Sequence, residues 1–154
     1  MDARVIVRAG IIFGVALLQN TSLFVWGGIK LDLMLLVMFL YTFIAHTWAE
    51  YGVYVLVASI GLMTEPGWDP SVASFIAVAL LAYAARGIFP LQSWLTYGVM
   101  LVAGTILLYS FIDWHFIVAA PLLLMQELVY TMIGGALFYM CTARFYAQRS
   151  GRPF

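Results

Sequence analysis

Groups able to do chemistry are few in this chain of 154 residues: two histidines, one cysteine and seven carboxylates. His46 and His115 interrupt the apolar sequence at different points. In the topology argued below they fall on opposite faces of a membrane, so they cannot share a metal ion or a proton relay. Cys141 can form no internal disulfide and no zinc site alone, and it reads as a small apolar helix residue. The chain has no Ser-His-Asp set, no phosphate-cradling glycine loop and no paired-aspartate diphosphate motif. The expectation is a protein without catalytic turnover and without a cofactor or metal.

Glu127 resists that bland account. It sits between Leu122-Leu123-Leu124-Met125-Gln126 and Leu128-Val129-Tyr130. A carboxylate at the centre of a bilayer costs about 2.5–3.5 kcal/mol on insertion scales. Three readings stay open: buried structural hydrogen bonding, snorkelling to the outer interface, and a transport or proton role. Snorkelling requires Pro121 to start the helix, which puts Glu127 about two turns in. The other candidate polar positions are Asp32, Glu65 and Asp69, near the ends of apolar runs, and Gln126, beside Glu127 inside the last one.

Those runs are the elements that must position these groups. The chain is 65% hydrophobic and 9% charged, with a mean hydropathy of +1.02. Soluble domains are about 25% charged, so an integral membrane protein is expected, as one transmembrane helical domain over residues 1–154. Trp26, Trp48, Trp68, Trp94 and Trp114 all stand at the ends of apolar runs. Indoles favour the headgroup layer. A net charge of zero makes nucleic acid a poor partner.

The runs predict about six spans: Arg8 to Trp26, Leu33 to Ala45, Tyr51 to Met63, Ser71 to Ala85, Trp94 to Ile112, and Phe116 to about Ala143. Asp69-Pro70 has the chemistry of a helix start, with Asp as N-cap and Pro at the first position. The second to fourth runs are short and need flanking residues or a thinned bilayer. Continuous apolar runs exclude an alternating β-barrel pattern. No cleavable signal peptide is expected, because the first run lacks a small-residue cleavage site.

Six spans place Arg4, Arg8, Arg86, Arg144, Arg149 and Arg152 on one side and Lys30 alone on the other. Basic residues stay cytoplasmic, so both termini are expected there. Glu65, Asp69 and Asp113 then face outward. Gly10 and Gly14 on the first span, and Ala73 and Ala77 on the fourth, are spaced for close helix packing, within the bundle or against a partner. The phenylalanines and tyrosines do not spell a pigment or quinone site.

From Gly28 onward the order of features resembles the bacterial rod shape-determining protein MreD family. Lys30-Leu31-Asp32-Leu33-Met34-Leu35-Leu36 stands where members open their second span with a basic residue, Pro and Asp-Leu. Gly61-Leu62-Met63-Thr64-Glu65-Pro66-Gly67 resembles the end of their third span, and Ala77-Val78-Ala79-Leu80-Leu81-Ala82-Tyr83 their Ala-rich fourth. Leu31 replaces the usual Pro, Glu65 the usual Asp, and Gln126-Glu127 stands where members often carry Asn. The resemblance implies a helical bundle similar to the substrate-binding subunits of energy-coupling-factor transporters. It also implies a non-enzymatic subunit of the cell-wall elongation machinery in the bacterial inner membrane. Its partners would be MreC, the glycosyltransferase RodA, a penicillin-binding transpeptidase and the cytoskeletal MreB, with membrane lipids around it.

Two other readings remain: a vitamin-like binding subunit of a transporter, and an accessory subunit of a larger membrane complex. A transporter subunit needs a polar pocket near the outer side, built from groups such as Asp32, Glu65, Asp69 and Gln126. A scaffold needs a lipid-accessible groove or a small-residue face for another helix.

Overall fold

A computed structural model describes residues 3–21, 25–26, 29–30, 32–63, 69–88 and 93–150. Among them are seven helices: α1 (Ala3–Gln19), α2 (Leu33–Ile44), α3 (Trp48–Leu62), α4 (Pro70–Ala85), α5 (Ser93–Ile112), α6 (Trp114–Ala119) and α7 (Pro121–Ser150). Between α1 and α2, β1 (Val25–Trp26) pairs antiparallel with β2 (Ile29–Lys30).

Short polar side chains start three of the helices. Asp32 Oδ1 accepts the Leu35 N–H at 2.9 Å and opens α2. Thr47 Oγ1 accepts the Glu50 N–H at 3.1 Å and opens α3. Asp69 Oδ1 accepts the Ser71 N–H at 2.8 Å, with Pro70 in the first turn of α4. Each cap satisfies an amide that the helix leaves without a partner.

α2 is the hub. Every residue from Met34 to Thr42 is buried, and α1, α3, α4, α5 and α7 all pack against it. A helix apolar on all sides has no face to offer water, so burial all round is the arrangement its sequence demands. Tyr97 on α5 donates its hydroxyl to the Leu36 carbonyl at 3.0 Å.

Glycines let the helices approach. A Cβ on Gly61 would lie 2.6 Å from Ala16 Cβ, which sets the close α1–α3 crossing. Gly104 on α5 faces the Phe39 ring with no room for a methyl group. At Gly10 and Gly14, by contrast, an added Cβ meets nothing within 4 Å, so α1 makes its intimate contact through Ala16 instead. Ala73 and Ala77 are half-buried on α4.

Several expected boundaries move: α3 begins at Trp48 rather than Tyr51, because Thr47 caps it, and α7 runs to Ser150 rather than ending near Ala143. The first run was expected to reach Trp26, but α1 ends at Gln19 and Trp26 belongs to β1. Asn20 and Thr21 turn the chain, and the Thr21 hydroxyl takes the Leu18 carbonyl at 2.7 Å. Such side chains compete with the helix for its own backbone groups. The last run splits into α6 and α7 at Ala120, because Pro121 has no N–H to continue a helix.

α5 and α7 are long and apolar enough to cross a membrane. The 20 residues of α5 rise about 30 Å, close to a hydrocarbon core. α2, α3 and α4 are shorter apolar helices. Trp48, Trp94 and Trp114 lie in the first turns of α3, α5 and α6, each more than half exposed.

Candidate functional site

Polar groups collect at the two ends of the bundle, and the ends differ. At the first, Glu50 on α3 binds Arg8 on α1, with Nη1 to Oε1 at 3.0 Å. The same oxygen accepts the Tyr54 hydroxyl at 2.6 Å, and Oε2 accepts the His46 N–H at 3.0 Å. Nearby, Arg86 Nη1 reaches the carbonyls of Thr42 and Ala45 at 3.0 and 2.7 Å, the unpaired C-terminal end of α2. Its guanidinium lies 3.9 Å from the centre of the Tyr83 ring. Tyr83 in turn stacks on Tyr51 with centroids 4.4 Å apart. These pairings tie the end together, although the Tyr83 hydroxyl is itself buried without a hydrogen-bond partner.

The opposite end is open. The end of α1, the starts of α2 and α4 and the last turns of α5 surround a cavity of about 390 Å³. Its polar lining is Gln19, Asn20, Asp32, Asp69, Ser71 and Tyr109; Leu62, Val72, Phe75, Leu108 and Ile112 complete the wall. Secondary structure brings these distant residues together and side chains fix them. Gln19 Oε1 accepts the Leu33 N–H at 2.9 Å, and Asn20 Nδ2 donates to the Gly61 carbonyl at 2.9 Å. Asp69 also accepts the Ser71 hydroxyl at 2.7 Å. The two Ser71 donors hold its carboxyl below the usual carboxylate range.

Behind the lining stands Glu127. Tyr109 on α5 lies beside its carboxylate, and Asp32 is near enough to oppose the charge on both. Glu127 Oε2 is enclosed without a hydrogen-bond partner. Of the candidate residues, Asp32 and Asp69 share the cavity and Glu127 adjoins it through Tyr109. Gln126 is exposed and does not line the cavity. Glu65 lies outside the described residues. His46 and His115 follow the ends of α2 and α5, which lie at opposite ends of the bundle. Among the described residues no three His, Cys, Asp or Glu converge as a metal site.

Sequence reasoning missed Tyr109, Gln19 and Asn20, and the pairing of Arg8 with Glu50. Thr47-x-x-Glu50 is a capping-box spacing that marks Glu50 as a helix-start residue. Asn20-Thr21-Ser22 is a polar run that marks the end of α1. Nothing in the sequence singles out Tyr109.

A second concavity runs between α5 and α7. It holds about 770 Å³ and is lined by Trp94, Tyr97, Gly98 and Val102 on one helix and Met132, Ala136, Tyr139 and Met140 on the other. The Tyr97 and Tyr139 rings lie 5.6 Å apart in its wall. α7 continues the apolar surface outward through Leu122, Met125, Val129, Ile133 and Leu137, all exposed. The chain matches no protein-family model, no curated protein and no solved structure.

Proposed function

We propose that this chain is a multi-pass membrane scaffold that works by binding the transmembrane helices of other proteins. The groove between α5 and α7 carries the reading. It is an apolar slot between the two longest helices, with Gly98 and Ala136 offering close backbone approach. A soluble protein rarely exposes so continuous an apolar face as that of α7. In a bilayer the same face is solvated by lipid or covered by a partner.

The resemblance to the MreD family supplies the identity of the partners: membrane-anchored MreC first, then a RodA-like glycosyltransferase and its penicillin-binding transpeptidase. The setting would be the bacterial inner membrane, with six spans and both termini cytoplasmic. The work would be assembly for cell-wall elongation, without turnover. The clustering of Arg8 and Arg86 away from Asp32 and Asp69 supports that orientation through the retention of basic residues inside.

Affinity purification of the full chain in mild detergent should recover stoichiometric membrane partners. Ala136→Trp fills the groove from an exposed position and should lose them while the protein remains folded. Partner recovery unaffected by Ala136→Trp would sink the groove. Cysteines placed at Gly67 and Gly151 should label from opposite sides of the membrane, and labelling from one side would overturn the topology. The runner-up, a transporter's ligand-binding subunit, is favoured by the polar cavity. It predicts a copurifying small molecule and no stoichiometric protein.

A further inference from the structure

The groove between α5 and α7 leaves the outward face of α7 unused. We propose that this face pairs with the same face of a second copy, closing a symmetric dimer in the membrane around Gln126. The proposal rests on the membrane-spanning part of the reading above and not on the groove.

α7 turns one stripe directly away from the bundle. Leu122, Gln126, Val129, Ile133 and Leu137 recur at intervals of three and four residues, so they share one side of the helix. All five are exposed, whereas Leu124, Thr131 and Gly135 face the core. None of the five lines the groove. α7 is also far less enclosed than α5, the other long apolar helix. From Leu122 to Leu137 the stripe rises about 22 Å, most of a hydrocarbon core roughly 30 Å thick.

Gln126 is the odd member of the stripe. It lies about 7.5 Å past the start of the apolar span Pro121–Cys141. Its carboxamide makes no hydrogen bond among the described residues. Hydroxyls on the other apolar helices satisfy themselves on their own backbone: Thr42 on Phe39, Ser59 on Val55, Thr105 on Leu101 and Ser110 on Ile106. Gln126 does not. Lipid tails supply neither donor nor acceptor, and an unpaired amide in hydrocarbon is costly. A facing helix with a polar side chain at the same depth removes that cost.

The occupant follows from the chemistry of the carboxamide. It has one acceptor oxygen and two donor hydrogens, so two copies satisfy each other across a two-fold axis. Copies of one multi-pass chain insert in the same orientation. Their α7 helices then run parallel, and each Gln126 meets its counterpart at the same depth. The stripe carries no charged residue to oppose the approach. A single polar residue in an apolar seam also fixes register and partner number.

The test uses the full chain in liposomes, on a Cys141→Ser background. Copies labelled with donor or acceptor dye at Gly87→Cys, an exposed position with open space, should show energy transfer that saturates as the protein-to-lipid ratio rises. Gln126→Leu should weaken that association about tenfold, the loss of the interhelical hydrogen bonds. Leu suits an exposed membrane face, so the variant should keep its thermal midpoint. Ile133→Cys should cross-link to its counterpart on oxidation, and Leu56→Cys on the exposed side of α3 should not. Energy transfer no greater than random proximity gives, association unchanged by Gln126→Leu, or equal cross-linking at the two cysteines would each overturn the proposal. So would Gln126→Leu acting only on the recovery of other membrane proteins, which gives the face to a foreign helix. A chain that resists alkaline carbonate yet stays monomeric defeats the dimer alone. Release by carbonate defeats the membrane reading and the dimer with it.

Discussion

Glu50 and Glu127 are both carboxylates set in apolar helices, at opposite ends of the same bundle. Glu50 accepts from Arg8, Tyr54 and His46, and both of its oxygens are used. Glu127 has Tyr109 on one side and an enclosed, unpartnered oxygen on the other. A saturated carboxylate locks two helices together and has nothing left to offer. An undersatisfied one beside a cavity is a standing cost that the fold tolerates. The Arg8 end is tied together by side-chain pairings, and the Asp32 end holds the open polar cavity.

The contrast is broken most directly at Glu50. Glu50→Ala removes the acceptor for Arg8 and Tyr54 together, and a charge-assisted contact in this half-buried setting is worth about 2–3 kcal/mol. The thermal midpoint in detergent should fall clearly, and Arg8→Ala on top should add less than its separate effect. Full additivity of the two losses would show that the pair is not coupled and that the closed end is held by something else.

The next effect lies where α2 crosses α5. Gly104→Ala puts a methyl group on the Phe39 ring, and overpacking of this kind costs about 1–3 kcal/mol. Phe39→Leu should restore most of the loss by withdrawing the ring. A neutral Gly104→Ala would show that α5 can move away from the hub freely.

These positions also show what was legible in the sequence. Asp32, Asp69-Pro70 and the apolar runs between them locate α2, α4 and α5 to within a residue or so, because helix starts are written in short-range chemistry. The end of α1 and the break at Ala120 are written there too, in Asn20-Thr21 and Pro121, but apolar residues resume after each and make the run read as continuous. What sequence cannot express is which faces meet. Gly10 and Gly14 have the packing spacing, yet Gly61 makes the contact, since rotation of α1 about its axis is set by the hub and not by its own pattern. Asp32 and Asp69 are visible as candidates, while Tyr109, the link from cavity to Glu127, becomes visible only once α5 and α7 are side by side.

Glu127 itself should respond more mildly than Glu50. Glu127→Gln keeps a polar group beside the Tyr109 hydroxyl and gives the enclosed atom an uncharged form, so folding should be nearly unchanged. Glu127→Leu removes the polar group beside that hydroxyl and should cost about 1 kcal/mol, toward the lower end for a lost polar contact because Glu127 is only half-buried. If Gln abolishes function at normal expression and thermal stability, the charge is used, and Glu127 belongs to transport or proton movement.

The smallest effect is expected at Asp69, and it separates a cap from a pair. Ser71 holds the Asp69 carboxyl below its usual range through two donors. A depressed folded value means that the ionised form is the one the fold favours. The stabilisation is therefore present above the unfolded value of about 3.9 and fades as the pH falls through the lower folded value. Below about pH 4 the first turn of α4 should open more often, read as faster hydrogen exchange at the Ser71 amide after correction for intrinsic rates. Asp69→Asn caps the same amide without titrating, so its corrected exchange should stay flat over that interval. A wild-type rate that is equally flat would mean that the carboxylate's charge contributes nothing to the cap. The open end would then owe its shape to packing around Phe75 rather than to the polar groups that line it.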